Sequence, residues 1–174
     1  MSAITTSSSL HSAPGRIVVL YGGQSGERDV SLKGGKAVLS ALQSEGLDAH
    51  GLDLRSGWIT ELEALQADRV FIVLHGAGGE DGTVQGALEC MGLPYTGSGV
   101  LASALAMDKL RCKQLWRGMG LPTADFAVLR QDSDWSALLT ELGGEVMVKP
   151  ASEGSSLGMA RASNRDELQA AWLA

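Results

Sequence analysis

The chain has 174 residues, 44% of them hydrophobic and 20% charged, with a formal net charge of −6. That length suffices for one good-sized core or two small domains sharing an interface. The acidity excludes a general nucleic-acid binder, which needs clustered Lys and Arg against phosphates, but not the binding of a single nucleotide. No apolar run approaches the length that spans a bilayer, so no membrane partner is expected. Cys90 and Cys112 lie outside any CxxC and away from histidine clusters, and read as reduced thiols of a cytoplasmic protein rather than a disulfide or zinc site.

Residues 1–15, MSAITTSSSLHSAPG, lack a basic start and an apolar h-region, and are expected to form a flexible tail rather than a signal peptide. From residue 16 the pattern alternates. RIVVLY (16–21) reads as an apolar strand. A helix is predicted over 30–46, with Val30, Ala37, Val38, Ala41 and Leu42 near helical spacing and Gly46 as its C-cap. DAHGLDL (48–54) follows as a strand, ITELEALQ (59–66) as a short helix and VFIVL (70–74) as a fully apolar strand. Then come a helix over 83–92, a short strand start at PYTG, and helical stretches at 100–106 and 108–119. Alternating elements with two almost wholly apolar strands imply a parallel sheet covered on both faces. The 23 glycines, spread between the apolar runs, suit a fold with many tight turns.

Beyond about residue 120 the pattern changes. DFAVLR (125–130) is predicted as a strand, 134–142 as a helix, and 145–150 and 158–162 as strands. SNRDELQAAWLA then opens a helix whose Ser163 and Asp166 fit a capping box. A domain boundary is placed near Met107–Lys109, giving a domain over 16–107 and a second unit over 108–174, with Gly118–Pro122 as a joint inside it. The second unit has too few elements to close a core of its own and is expected to be incomplete.

Four stretches carry candidate chemistry. GGQSGERD (22–29) joins a strand to a helix, the place where α/β sheets bind ligands. It is not G-x-G-x-x-G, although Asp53 at the end of the second strand resembles a ribose-binding acid. Either this is a plain turn with Asp29 as N-cap, or Glu27 holds an ammonium group. In HGAGGEDGT (75–83), His75 ends a strand, where it either donates to a substrate carboxylate or serves structure alone; Glu80 and Asp81 are candidate caps for the next helix. SLKGGKA is not a Walker motif, because Val30 stands where its first glycine belongs and Ala37 replaces Ser/Thr. Finally, MVKPASEGSSLGM (147–159) places Lys149 at the end of an apolar strand, before a small-residue loop. Lys149 would neutralise phosphate charge while Gly154, Ser155 and Ser156 offer N–H and hydroxyl donors. The plainer alternative is a hairpin with a polar turn, and Lys109 alone reads as a solvated helix residue.

Taken together, GGQSGERDVSL, LHGAGGEDGTVQGALECMGLPYTGSGVLASALAMDKL and VKPASEGSSLGM resemble the D-alanine–D-alanine ligases of the ATP-grasp superfamily, from about residue 16 to the end. The resemblance implies an α/β chain: a Rossmann-like parallel-sheet domain that binds substrate, then the first, incomplete part of an ATP-grasp domain. It implies ATP-dependent joining of two D-alanines through an acyl phosphate, for peptidoglycan synthesis in the bacterial cytoplasm, with a homodimer formed through the N-terminal domain. Carried over by residue, Glu27 would bind the ammonium of the first D-alanine, with His75 near its carboxylate and Val30 close by. Lys109 and Lys149 would hold ATP phosphates. The loop from Glu153 through Gly154, Ser155 and Ser156 would cover the nucleotide, with Ser155 hydrogen-bonded in a catalytic network with Glu27.

The same resemblance implies Mg²⁺, whose ligands are expected outside this chain. Asn164 is the only asparagine and Ala162 stands two residues before it, so no Glu-x-Asn pair exists to hold the metal. Residues 1–174 by themselves are therefore expected not to turn over. The alternatives are a non-catalytic α/β binding or dimerisation module derived from the family, and a nicotinamide-binding Rossmann protein. The missing glycine fingerprint and the Lys149–Ser156 loop weigh against the latter.

Overall fold

The computed structural model describes residues 15–174, so the expected tail lies, apart from Gly15, outside the described residues. The described chain groups into two compact units. One holds the residues up to Gln24, Arg28–Leu74 and Ala87–Gly97; the other holds Ser25–Glu27, His75–Gly86 and Ser98–Ala174.

The first unit is built on β1 (Ile17–Tyr21), α1 (Arg28–Ser44), β2 (Ala49–Asp53), α2 (Trp58–Leu65), β3 (Arg69–Ile72) and the end of α3 (Thr83–Cys90). Its three strands are parallel in the order β2-β1-β3, with Val19 beside both Gly51 and Phe71. Centrality explains the apolar run of β1: Val18, Val19 and Leu20 are fully buried, since a strand with neighbours on both sides and cover on both faces has no wet position. Leu52, Leu62, Val70 and Leu88 complete this core. The strand start expected at PYTG is a single parallel bridge from Tyr95 to Val70.

Helix α1 starts two residues before its predicted position, so Asp29 lies inside the first turn rather than at the N-cap. There its charge complements the positive end of the helix dipole. The predicted stop at Gly46 is present, with φ 75° and its N–H on the Gln43 carbonyl at 3.0 Å. Midway along α1 the helix lies almost on the sheet. A Cβ added to Gly35 would come within 2.2 Å of the Tyr21 Cβ, whereas one added to the neighbouring Gly34 meets only a Val73 methyl at 3.3 Å. Gly35→Ala is therefore expected to destabilise by about 1–3 kcal/mol through overpacking, despite the gain in helix propensity. Gly34→Ala should be close to neutral, and urea unfolding of the pair checks the contrast.

The second unit contains α4 (Val100–Met107), α5 (Lys109–Gly118), α6 (Trp135–Glu141), β4 (Val146–Val148), β5 (Ala160–Ala162) and α7 (Arg165–Leu173). β4 and β5 form an antiparallel pair with Met147 opposite Arg161. Trp135, Leu139, Ala162 and Leu168 are buried together, flanked by Leu129, Val146 and Val148, and the Trp135 and Trp172 rings stack at a 52° tilt with centroids 5.6 Å apart. Asp134 caps α6, its side chain accepting from the Ala137 N–H at 3.0 Å.

Two expectations shift here. The cap of α7 is Asn164, which accepts from the Glu167 N–H at 2.9 Å, while Glu167 in turn accepts from the Ser163 N–H at 2.8 Å. The reciprocal box therefore pairs Glu167 with these two residues, not Ser163 with Asp166. DFAVLR is not a strand: residues 121–130 carry no regular structure. β-propensity requires a partner edge, and this segment is held on α5 instead. Lys113 and Arg117 lie over the Phe126 ring at 5.2 and 4.3 Å, and Arg117 pairs with Asp125 at 2.7 Å.

Candidate active site

In the first unit, β1 ends in a turn that only glycine makes without strain: Gly22 and Gly23 both have φ 79°. Ser31 of α1 accepts from the Gly22 N–H at 2.8 Å, and the Arg28 guanidinium donates to the Gly23 carbonyl at 2.9 Å. The same guanidinium grips Asp53 with two hydrogen bonds of 2.8 and 2.7 Å, and Arg55 adds a further pair. Asp53, which in sequence resembles a ribose-binding acid, is thus engaged by two arginines. The Arg28 hydrogen bonds, opposed by partial burial and helped by Arg55, hold its carboxyl at about 2. Val30, in the first turn of α1, is 62% exposed.

In the second unit, three segments meet around Glu27, a residue only 9% exposed. The first is its own: Ser25 Oγ accepts from the Glu27 N–H at 3.2 Å. The second is the loop opened by His75, whose carbonyl accepts from Ser25 Oγ at 2.7 Å. A Cβ added to Gly76 would sit 3.0 Å from Glu27 Oε2. The third is the Gly/Ser loop. Ser155 Oγ donates to Glu27 Oε1, a Cβ on Gly154 would lie 2.9 Å from Glu27 Oε2, and Leu157 passes over Gly26. Burial and a hydroxyl donor leave this carboxylate able to accept a small cation in a sheltered place.

The loop opened by His75 holds itself together. Glu80 accepts from the Gly76 N–H at 2.7 Å, Asp81 from the Gly78 N–H at 2.7 Å and the Thr83 N–H at 3.0 Å, and Gln85 donates to the Gly79 carbonyl at 2.8 Å. Burial works to raise the Asp81 carboxyl, but the Gly78 and Thr83 N–H groups outweigh it and keep it below the usual range. Both acids therefore serve the loop, and Asp81 also serves the start of α3. His75 is half-buried.

The Gly/Ser loop is anchored at its base by Lys109, the first residue of α5. Its backbone N–H donates to the Ala151 carbonyl at 2.9 Å and its ammonium to the Glu153 carbonyl. Ser155 and Ser156 have φ of 46° and 62°, consecutive left-handed residues that are not glycines. Such geometry is costly and persists where surrounding contacts demand it, here the hydrogen bond to Glu27. Lys149 is exposed at the end of β4, before this loop, and Ser156 is exposed within it. The structure thus brings together Glu27, Gly154 and Ser155, and ties Lys109 to Glu153. Sequence reasoning passed over Ser25 and Arg28. The available signal was a serine between a glutamine and a glycine in a strand-to-helix turn, where a hydroxyl can bond to nearby backbone.

Two family models match the chain, D-ala D-ala ligase N-terminus over residues 48–98 and D-ala D-ala ligase C-terminus over residues 115–174. A D-alanine–D-alanine ligase of Ectopseudomonas mendocina (strain ymp) is 58% identical over 169 residues, covering 94% of this chain and 54% of that protein. One of Pseudomonas putida (strain GB-1) is 56% identical over 158 residues, covering 91% of this chain and 50% of that protein. The chain spans about half the length of these relatives. Among solved structures, the D-alanine–D-alanine ligase from Bacillus anthracis superposes with a TM-score of 0.80 at 36% identity, covering 91% of this chain and 53% of that one. The same enzyme complexed with ATP gives 0.76 at 35% identity, covering 90% and 53%.

Proposed function

The chain belongs to the D-alanine–D-alanine ligase family of the ATP-grasp superfamily, and on that premise we propose that the protein joins two D-alanines at the expense of ATP, for peptidoglycan synthesis. The observation that carries this reading is the hydrogen bond from Ser155 to the buried Glu27 carboxylate, which sets the candidate nucleotide loop on the candidate substrate acid.

In this proposal Glu27 receives the ammonium of the first D-alanine, where shelter from water strengthens the pairing. His75, half-buried beyond the strand end, faces the substrate carboxylate. ATP supplies the phosphoryl group that turns this carboxylate into an acyl phosphate, which the amine of the second D-alanine displaces. The donor set around the Gly/Ser loop fits a polyphosphate: the ammonium groups of Lys109 and Lys149 offset its charge, while Glu153, Gly154, Ser155 and Ser156 supply backbone and hydroxyl donors. Lys109, already tied to the Glu153 carbonyl, also holds the loop in place. Negative charge builds on transferred oxygens during such a step, so positioned cations and donors carry most of the stabilisation.

Mg²⁺ does not fit the residues at hand. Among the described residues, no group of three or more His, Cys, Asp or Glu side chains is placed to hold a metal ion. We derive no step through it. We also carry forward from the resemblance a domain over 16–107, the start of an ATP-grasp domain over 108–174, a homodimer through the first of these and a cytoplasmic location. Among the described residues, no helix is long and apolar enough to cross a membrane.

The test is to incubate the intact protein, as its natural gene encodes it, with ATP, Mg²⁺ and D-alanine, following phosphate and dipeptide. We expect equal amounts of both, with no dipeptide from L-alanine. ATP consumption that ignores D-alanine would overturn the assignment, and binding of D-alanine without turnover would favour the non-catalytic module.

A further inference from the structure

We propose that Ser25 is a positioning residue that sets the spacing between the groups holding the two ends of the first amino acid. The proposal rests on the ligase reading above and extends it to a residue that touches no substrate in that reading.

The hydroxyl of Ser25 works in both directions. It donates to the His75 carbonyl at 2.7 Å and accepts from the Glu27 N–H at 3.2 Å. One oxygen therefore joins the segment bearing the ammonium-binding carboxylate to the segment bearing the carboxylate-facing imidazole. The two segments also touch beside this link. A Cβ on Gly76 would lie 3.0 Å from the Ser25 Cβ, 3.1 Å from its Oγ and 3.0 Å from Glu27 Oε2. Any movement of one segment past the other must break the Ser25 hydrogen bonds or open this contact.

The substrate makes that spacing matter. In an α-amino acid the ammonium and carboxylate are attached to the same carbon, so their separation barely varies. A site that binds both ends must hold its own two groups at a matching distance, and an error of about 1 Å costs orientation. The loop opened by His75 is wired internally through Glu80, Asp81 and Gln85, so it behaves as a rigid partner. Ser25 then sets where that rigid loop stands relative to Glu27. Alanine lacks both the donor and the acceptor and leaves the His75 carbonyl without its partner.

The experiment is steady-state kinetics of the intact protein carrying Ser25→Ala, Glu27→Gln, or both, with ATP and D-alanine varied separately. S25A is expected to raise KM for the first D-alanine about tenfold, as for the loss of one hydrogen bond, with KM for ATP within about twofold. Because Ser25 acts through Glu27, adding S25A to the E27Q protein should cost little more. A purely structural serine would instead raise both KM values together, or add its full effect in the double variant, and either result overturns the proposal while leaving the ligase reading intact. An unsubstituted protein that uses no D-alanine would overturn the ligase reading and this proposal with it.

Discussion

Glu27→Gln is expected to raise KM for the first D-alanine by roughly 30- to 1,000-fold, the equivalent of about 2–4 kcal/mol for uncoupling a sheltered charge pair. The substitution isolates charge. Glutamine keeps the length and shape of the side chain, and its carbonyl oxygen can still accept from the Ser155 hydroxyl, so the loop keeps its contact. What disappears is the negative charge opposite the substrate ammonium. The residue is only 9% exposed, so water cannot replace that charge cheaply. Melting temperature should hold within a few degrees, and KM for ATP should move far less than KM for D-alanine. Unaltered D-alanine kinetics would remove Glu27 from the substrate site.

Gly154→Ala is expected to lower kcat/KM for D-alanine about 100-fold, the equivalent of about 2.7 kcal/mol. Its stability cost should lie at the lower end of the ~1–3 kcal/mol of overpacking, because the crowded atom ends a flexible side chain. Gly154 is not among the glycines with positive φ, so its backbone accepts alanine. Its added methyl, however, would sit 2.9 Å from Glu27 Oε2. Either the carboxylate turns away or the loop withdraws and the Ser155 hydrogen bond is lost, and both disturb the same substrate-binding group. Gly118→Ala is the control, because its Cβ meets nothing within 4 Å and its φ is not positive. Kinetics and thermal unfolding of the two variants separate crowding at Glu27 from the mere cost of changing a glycine. Normal activity in G154A would show that the loop does not close on Glu27 in solution.

These predictions lean unevenly on sequence. The glutamate could be picked out by residue type and place, as a carboxylate in a strand-to-helix turn. The crowding at Gly154 could not, because it depends on a residue distant along the chain. Asp53 shows the reverse failure. Its place at the end of a strand suggested a ribose partner, but the structure assigns its oxygens to Arg28 and Arg55. DFAVLR has strand-forming residues and no strand; the segment lies instead on α5, which offers cations for Phe126.

Short stretches of the sequence suffice for the alternation of elements, the stop at Gly46 and the family, while the central place of β1 emerged only from the sheet order β2-β1-β3. The first three follow from information carried within a short window: the period of apolar residues, a glycine where the chain turns left-handed, or motifs in order. The resemblance implied that Ser155 and Glu27 meet, and they do so across 128 positions of chain. The bridge that Ser25 makes from the Glu27 N–H to the His75 carbonyl was legible only in the fold. Such pairings depend on where the folded backbone returns, and no local period or propensity records that distance.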